Sequence, residues 1–305
     1  MSTVLITGTS SGFGRLTAQE LAVRGHDVHA GMRDVAGRNA GHADDLLRWA
    51  ADAGHKVSVV DLDVSEQAHV DRAVGEVLER AGRLDVLVNN AGQGQFGLAE
   101  ACTDAQLAAL LDLNVLGPFR AMRAVLPHMR GRRSGLVIQV SSLIGRYVMP
   151  FMTPYAASKH AVEALAEGLH YELAPFGVQS IIVEPFSMPT PGSLQKIVHG
   201  SDTARAAGMA DLDRRQREMF EQNNRWLAGD QGPDPASVAS AIADLIDAPA
   251  ADRPLRTTVG PNADGAERLN EVQAQVQAQL LPALGLGDLL RGPGAPEPSP
   301  APADA

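Results

Sequence analysis

The sequence has one cysteine, Cys102, no apolar run approaching eighteen residues, and no basic start followed by an apolar stretch. A lone cysteine excludes an internal disulfide and a cysteine-based metal cluster, and it suits a reducing cytoplasm. Without long apolar runs there is no candidate for a membrane-spanning helix, and the Met-Ser-Thr-Val-Leu-Ile-Thr-Gly start does not read as a secretory leader. Cations are the minority, with 26 lysines and arginines against 36 acidic residues, dispersed rather than blocked, for a net charge of −10. Nucleic acid and anionic membranes are therefore poor partners, and a soluble, cytoplasmic protein is the expectation.

What is present is a regular alternation. Val4-Leu-Ile-Thr7 is a short β-branched run that meets Gly8, and residues 15–24 then carry helical periodicity through Leu16, Leu21 and Val23 up to Gly25. Further strands are predicted at Val28–Arg33, Lys56–Asp61, Leu84–Asn89, Gly135–Val140, Val178–Val183 and Arg256–Gly260, with helical segments between them and a closing helix over 264–281. Strands that are apolar on both faces and separated by helices predict an α/β fold: one doubly wound parallel sheet of Rossmann type in a single domain over residues 1–262. Residues 263–291 are expected to form a helical extension. The stretch 189–232 breaks the rhythm and has two readings, a mobile substrate lid or an ordinary surface insertion. Residues 292–305, rich in Pro, Ala and Gly, are expected to be disordered.

Between the first strand and first helix runs Thr7-Gly8-Thr-Ser10-Ser11-Gly12-Phe13-Gly14. Glycines there permit a tight turn and close backbone approach, while a helix N-terminus offers N–H groups and positive dipole to a pyrophosphate. An NAD site usually places an acid at the end of the second strand, about twenty residues on, to bind the ribose 2′-hydroxyl. Here Met32 stands there, followed by Arg33, which can pair with a 2′-phosphate, so NADP(H) is expected ahead of NAD(H). Two alternatives stay open: a shift of register would bring Asp34 to the ribose, and Arg33 could be a solvated charge.

Tyr155-Ala-Ala-Ser-Lys159 puts a phenol and an ammonium four residues apart, on one face of a helix. A neighbouring ammonium favours phenolate and draws the tyrosine towards working pH, which makes the pair an acid/base device. So short a pair recurs by chance, and its meaning depends on the rest of the chain.

With the glycine turn, Asn89-Asn90-Ala91-Gly92, Asn114, Ser142 and Tyr155-x-x-x-Lys159 in order, the chain resembles the short-chain dehydrogenases/reductases over about residues 3–262, most of all the branch that includes 17β-hydroxysteroid and retinol dehydrogenases. The resemblance implies that Tyr155 exchanges a proton with the substrate oxygen, Ser142 holds that oxygen, Lys159 lowers the tyrosine pKa and bonds the nicotinamide ribose, and Asn114 anchors a water for proton relay. An alternative for Asn114 is a buried amide satisfied by backbone. The resemblance also implies that Asp63 and Val64 contact adenine, that Asn90, Ala91 and Gly92 pass the adenosine ribose, and that Pro185 and Thr190 belong to the segment binding the carboxamide. That segment carries Phe186 where the family has glycine, so its turn is either reshaped or lined by the ring.

Around these positions Leu143, Ile144, Met149, Phe151, Met152, Phe186 and Met188 are apolar. They suit a bulky apolar ketone or alcohol, unless they simply fill core. The expected function is NADP(H)-dependent interconversion of carbonyl and alcohol on a small molecule. A sugar-nucleotide epimerase or dehydratase and a non-catalytic NADP-binding sensor are the alternatives. A homodimer or homotetramer is implied by the family, and Leu165, Leu169 and Leu173 read either as a subunit seam or as a core-facing stripe.

Overall fold

In strand β1 (Thr3–Thr7), Val4 and Ile6 feed one hydrophobic cluster while Leu5 between them feeds another. Successive side chains of a strand point to opposite faces, so an uninterrupted apolar run is what a sheet covered on both sides requires. The same logic builds β2 (Asp27–Met32), β3 (Val57–Asp61), β4 (Val86–Asn89), β6 (Gly135–Val140), β7 (Val178–Pro185) and β9 (Arg256–Val259). Together with β1 they form a seven-stranded parallel sheet in the order β3-β2-β1-β4-β6-β7-β9. Two further strands, β5 (Gln95–Phe96) and β8 (Val198–His199), pair in a small parallel ladder of their own. The computed structural model describes residues 1–190, 197–227, 229 and 232–290.

Helices α1 (Gly12–Val23) and α9 (Ala236–Asp247) cover one face, with Leu21, Val238 and Ile242 packed on Ile6, Val88 and Ile181. On the other face lie α3 (Gln67–Ala81), α5 (Gly117–Arg132) and α6 (Thr153–Leu173). The buried residues of α3, Val70, Ala73, Val74 and Val77, recur at the spacing of one helical face. Leu46 of α2 (Ala40–Ala53) closes over Met32. Leu173 and the partly buried Leu169 pack into the protein's own core, as a core-facing stripe requires, while Leu165 is half-buried.

The predicted strands are all present, most of them shifted at an end. Arg33, Lys56 and Gly260 fall just outside, and β7 runs on to Pro185, because Glu184 and Pro185 pair with Thr258 and Val259 of β9. Residues 264–281 lie within α10 (Asp264–Ala283). In the irregular stretch, α7 (Thr203–Ala207) and the amphipathic α8 (Ala210–Leu227) follow β8, and α8 lies over the carboxyl ends of the strands. The parts of the expected lid at 191–196, 228, 230 and 231, and the expected disordered tail at 292–305, lie outside the described residues. Among the described residues no helix is long and apolar enough to cross a membrane.

Candidate active site

The strand order reverses at β1, whose neighbours are β2 and β4, and a crevice opens where the loops after those strands diverge. The loops after β1, β4, β6 and β7 meet there around one cavity of about 650 Å³. At the β1 end its wall is largely backbone. Gly8 has φ +75°, and a Cβ there would stand 2.8 Å from the Ala91 Cα, so only glycine lets the β1 and β4 loops touch. Ser10, Ser11, Gly12 and Phe13 line the cavity at the start of α1, whose first turn carries no acidic residue. Such an N-terminus suits an anion.

Two residues of the glycine turn do other work. Thr7 does not line the cavity; its hydroxyl accepts from the backbone N–H of Asn90 (3.0 Å) and Ala91 (2.9 Å), stapling β1 to the β4 loop. Gly14 is likewise set back, and a Cβ on it would meet the Asn90 amide nitrogen at 2.4 Å. Both hold the turn in shape.

Arg33 and Arg38 face the cavity at the end of β2, beside Met32 and Asn39. Arg38 is the residue sequence reading missed here, because the turn that returns it cannot be read from periodicity. Asp34, at φ 52°, accepts from the backbone N–H of Arg38 (3.0 Å), so its carboxylate is used within the turn and is not in the cavity wall. Asp63, Val64, Asn90, Ala91 and Gly92 continue the wall, and Pro185 and Thr190 line it from the β7 side.

Ser142, Tyr155 and Lys159 converge on the same space. Ser142 leads a 3-10 turn (Leu143–Gly145), and its Oγ accepts from Ile144 N–H (3.3 Å) and donates to the Pro185 carbonyl (3.4 Å). Lys159 donates to the Val140 carbonyl at 3.0 Å, with Nζ 5.7 Å from the centre of the Tyr155 ring. Burial pushes the Tyr155 phenol up to about 12, against the hydrogen bond from Ser142. Desolvation penalises the charged phenolate and so favours the neutral phenol. Burial also pulls Lys159 down to about 8, opposed by the charge of Glu163.

Asn114 is 2% exposed and sits in a π-helical turn (Asp112–Leu116) ahead of α5, behind the cavity wall. Its side chain accepts from Gln93 N–H and donates to Gln93 carbonyl, both at 2.9 Å, and donates to Ser158 Oγ at 3.0 Å. The side-chain amide is therefore satisfied internally, and π-turns of this kind recur at functional sites.

The far end is walled by Leu143, Ile144, Met149, Met152, Phe186 and Met188, as expected. Phe151 is not part of the wall; at φ 68° it turns to back Phe96, ring centres 6.3 Å apart. Phe186 takes up its family-unlike position with an edge-on contact to Trp226 of α8, 5.8 Å between centres, and its backbone N–H still bonds Val259. Phe96, Met219, Phe220 and Leu227 also line the space, and no local motif could have signalled them, because β5 and α8 meet the site only through the tertiary fold. The charged side chains that line the cavity among the described residues are Arg33, Arg38, Asp63 and Lys159.

Residues 2–197 match the family described as short chain dehydrogenase. The chain is 33% identical to 3-ketodihydrosphingosine reductase of Bacteroides thetaiotaomicron over 258 residues, covering 85% of this chain and 87% of that protein. It is 35% identical to mouse 17-beta-hydroxysteroid dehydrogenase type 1 over 254 residues, 81% of this chain and 70% of the other. A variant of actinorhodin polyketide ketoreductase solved with NADPH superposes with a TM-score of 0.70 at 27% identity, covering 85% and 95% of the two chains. With the parallel sheet, the glycine turn and the Ser-Tyr-Lys cluster around one cavity, this chain belongs to the short-chain dehydrogenase/reductase family, oxidoreductases acting on CH–OH groups.

Proposed function

We propose that the protein is an NADP(H)-dependent oxidoreductase that interconverts a carbonyl and an alcohol on a bulky, uncharged, apolar substrate. The observation that carries this reading is the meeting of Ser142, Tyr155 and Lys159 with the glycine turn in one cavity whose far end is apolar. The backbone around Gly8 and Gly12 and the start of α1 would hold the pyrophosphate, Asp63 and Val64 the adenine, and Arg33 with Arg38 a 2′-phosphate. When bound, the nucleotide supplies or accepts the hydride.

Ser142 would hold the substrate oxygen, and the protonated Tyr155 would deliver a proton to it as charge develops. Lys159 is the next donor in line, and Asn114 braces Gln93 and Ser158 beside it. In the substrate half Lys159, bonded to the Val140 carbonyl, is the single charged side chain of the described wall, so a carboxylate or phosphate on the substrate would find no counter-charge besides the lysine already assigned to catalysis. Steroid-, retinoid-, sphingoid- and polyketide-like ketones fit this description, and the names of the relatives agree with it. We also propose that the segment from residue 189 to 232 acts as a lid, and that the chain forms a homodimer or homotetramer. Exposed Leu107 and Leu116 support that assembly, and a monomer by light scattering would refute it.

The direct test is NADPH oxidation against a panel of apolar ketones and aldehydes, with NADH alongside. Turnover with NADPH on bulky apolar members is expected. Tight NADPH binding with no turnover across the panel would instead identify a nucleotide sensor.

A further inference from the structure

Beneath the Ser142 turn lies a cluster of five charged side chains that the proposed chemistry does not use. Arg256 of β9 places Nε 3.0 Å from Glu163 and 3.3 Å from Glu184, and its second nitrogen donates to Glu167 at 2.7 Å. Arg146, which follows the Ser142 turn, approaches Glu163 at 3.9 Å and Glu184 at 3.8 Å. Glu163 and Glu167 belong to α6 and Glu184 to β7, and all three carboxylates are buried. From α10, Asn270 donates to Glu184 at 2.7 Å, while Gln273 bonds both Arg146 and Glu167. Tyr171 donates to Glu167 at 3.2 Å. His170, close to Glu167 and Arg256, is held below the usual imidazole range by burial.

Three carboxyl groups thus meet two guanidiniums in the interior. Lys159 stands one helical turn before Glu163 on the same face of α6. Glu163 is also in close contact with the catalytic turn: a Cβ added to Gly145 would stand 3.0 Å from its Cγ and 3.1 Å from its Oε1. That Oε1 has no hydrogen-bond partner, so part of the carboxylate's charge is left uncompensated by the arginines.

We propose that Glu163 is a positioning residue whose carboxylate, braced by Arg256 and Arg146, is the counter-charge that keeps Lys159 cationic and fixes the Ser142 turn against α6. The inference rests on the reading of Lys159 as part of the catalytic set. Two further features agree with it. Burial, and then the charge of Glu163, push Glu184 up to about 8, so the Glu163 carboxylate acts on the buried groups around it. Burial and Glu163 pull Lys159 in opposite directions, as a counter-ion requires.

The chain has only three lysines, Lys56, Lys159 and Lys196, so NMR of the full chain labelled at lysine ¹³Cε gives three signals, with Lys159 assigned by its loss in Lys159→Met. The isosteric Glu163→Gln is expected to lower the Lys159 midpoint by about one pH unit, the size of a partly screened charge one helical turn away. An unmoved midpoint overturns the proposal. Should Glu163→Gln not fold, Arg146→Gln, at the more accessible edge of the cluster, raises the midpoint by removing a competing cation, and an unmoved midpoint there overturns it equally. The measurement does not depend on turnover. A protein inactive on every ketone would sink the catalytic reading and leave this titration standing on its own.

Discussion

At the β1–β2 end the cavity wall is backbone and arginine, held by glycines that admit no side chain; beneath α8 it is methionine, leucine and phenylalanine from segments far apart in the chain. On the reading proposed above, the first end would hold a dinucleotide with main-chain N–H groups, whose placement leaves no room for a side chain. The second would hold the substrate, with side chains that pack on one another. Substitutions at the two ends should therefore fail differently. The chemistry sits where they join.

At that junction Tyr155→Phe should cost about 10²–10⁴-fold in kcat, the usual share of a general acid, with NADPH affinity nearly unchanged by fluorescence titration. An active phenylalanine variant would remove the boundary between the two ends. Arg33→Ser should weaken NADPH by roughly 10–100-fold, the worth of a charge-assisted hydrogen bond, and leave NADH binding alone. Equal losses for both nucleotides would place Arg33 outside phosphate recognition. Gly8→Ala should cost about 1–3 kcal/mol of stability from its positive φ, added to the crowding of Ala91, seen as a lower Tm and weakened nucleotide binding together.

In the substrate half, Trp226→Ala removes an aromatic pair worth about 0.5–1.5 kcal/mol, so KM for an apolar ketone should rise a few-fold while NADPH affinity holds. A further effect is one of pH. Folded Lys159 releases its proton near pH 8, against 10.5 for the ordinary side chain, so between those values the unfolded chain binds more protons and stability rises with pH. Lys159→Met should flatten that rise in Tm, and an unchanged slope would mean that the ammonium is not desolvated.

The nucleotide half was readable because its signals are local. A strand, a glycine turn and a helix start lie within a few residues, and Ser142 and Tyr155-x-x-x-Lys159 flank one turn and one helix. What could not be read locally is where single atoms turn: Thr7 and Gly14 face the β4 loop, and Phe151 is turned by a positive φ. Arg38 escaped notice because a turn through Asp34 returns it to the cavity. Tyr155 and Lys159 meet at the cavity, but their ionisation could not be read from the residues, because desolvation depends on everything packed around them.

Residue order alone determined the alternation of strands and helices, the parallel sheet and the turn at Gly8, since each follows from side-chain period and from the need for a residue without Cβ. The tertiary structure decided which loops share the cavity, that Trp226 meets Phe186, and that two arginines, three carboxylates and two amides gather behind the Ser142 turn. Those groups come from β7, β9, α6, α10 and the turn after β6, and no local pattern in a chain records which buried charges will meet, because the meeting is set by how the layers pack.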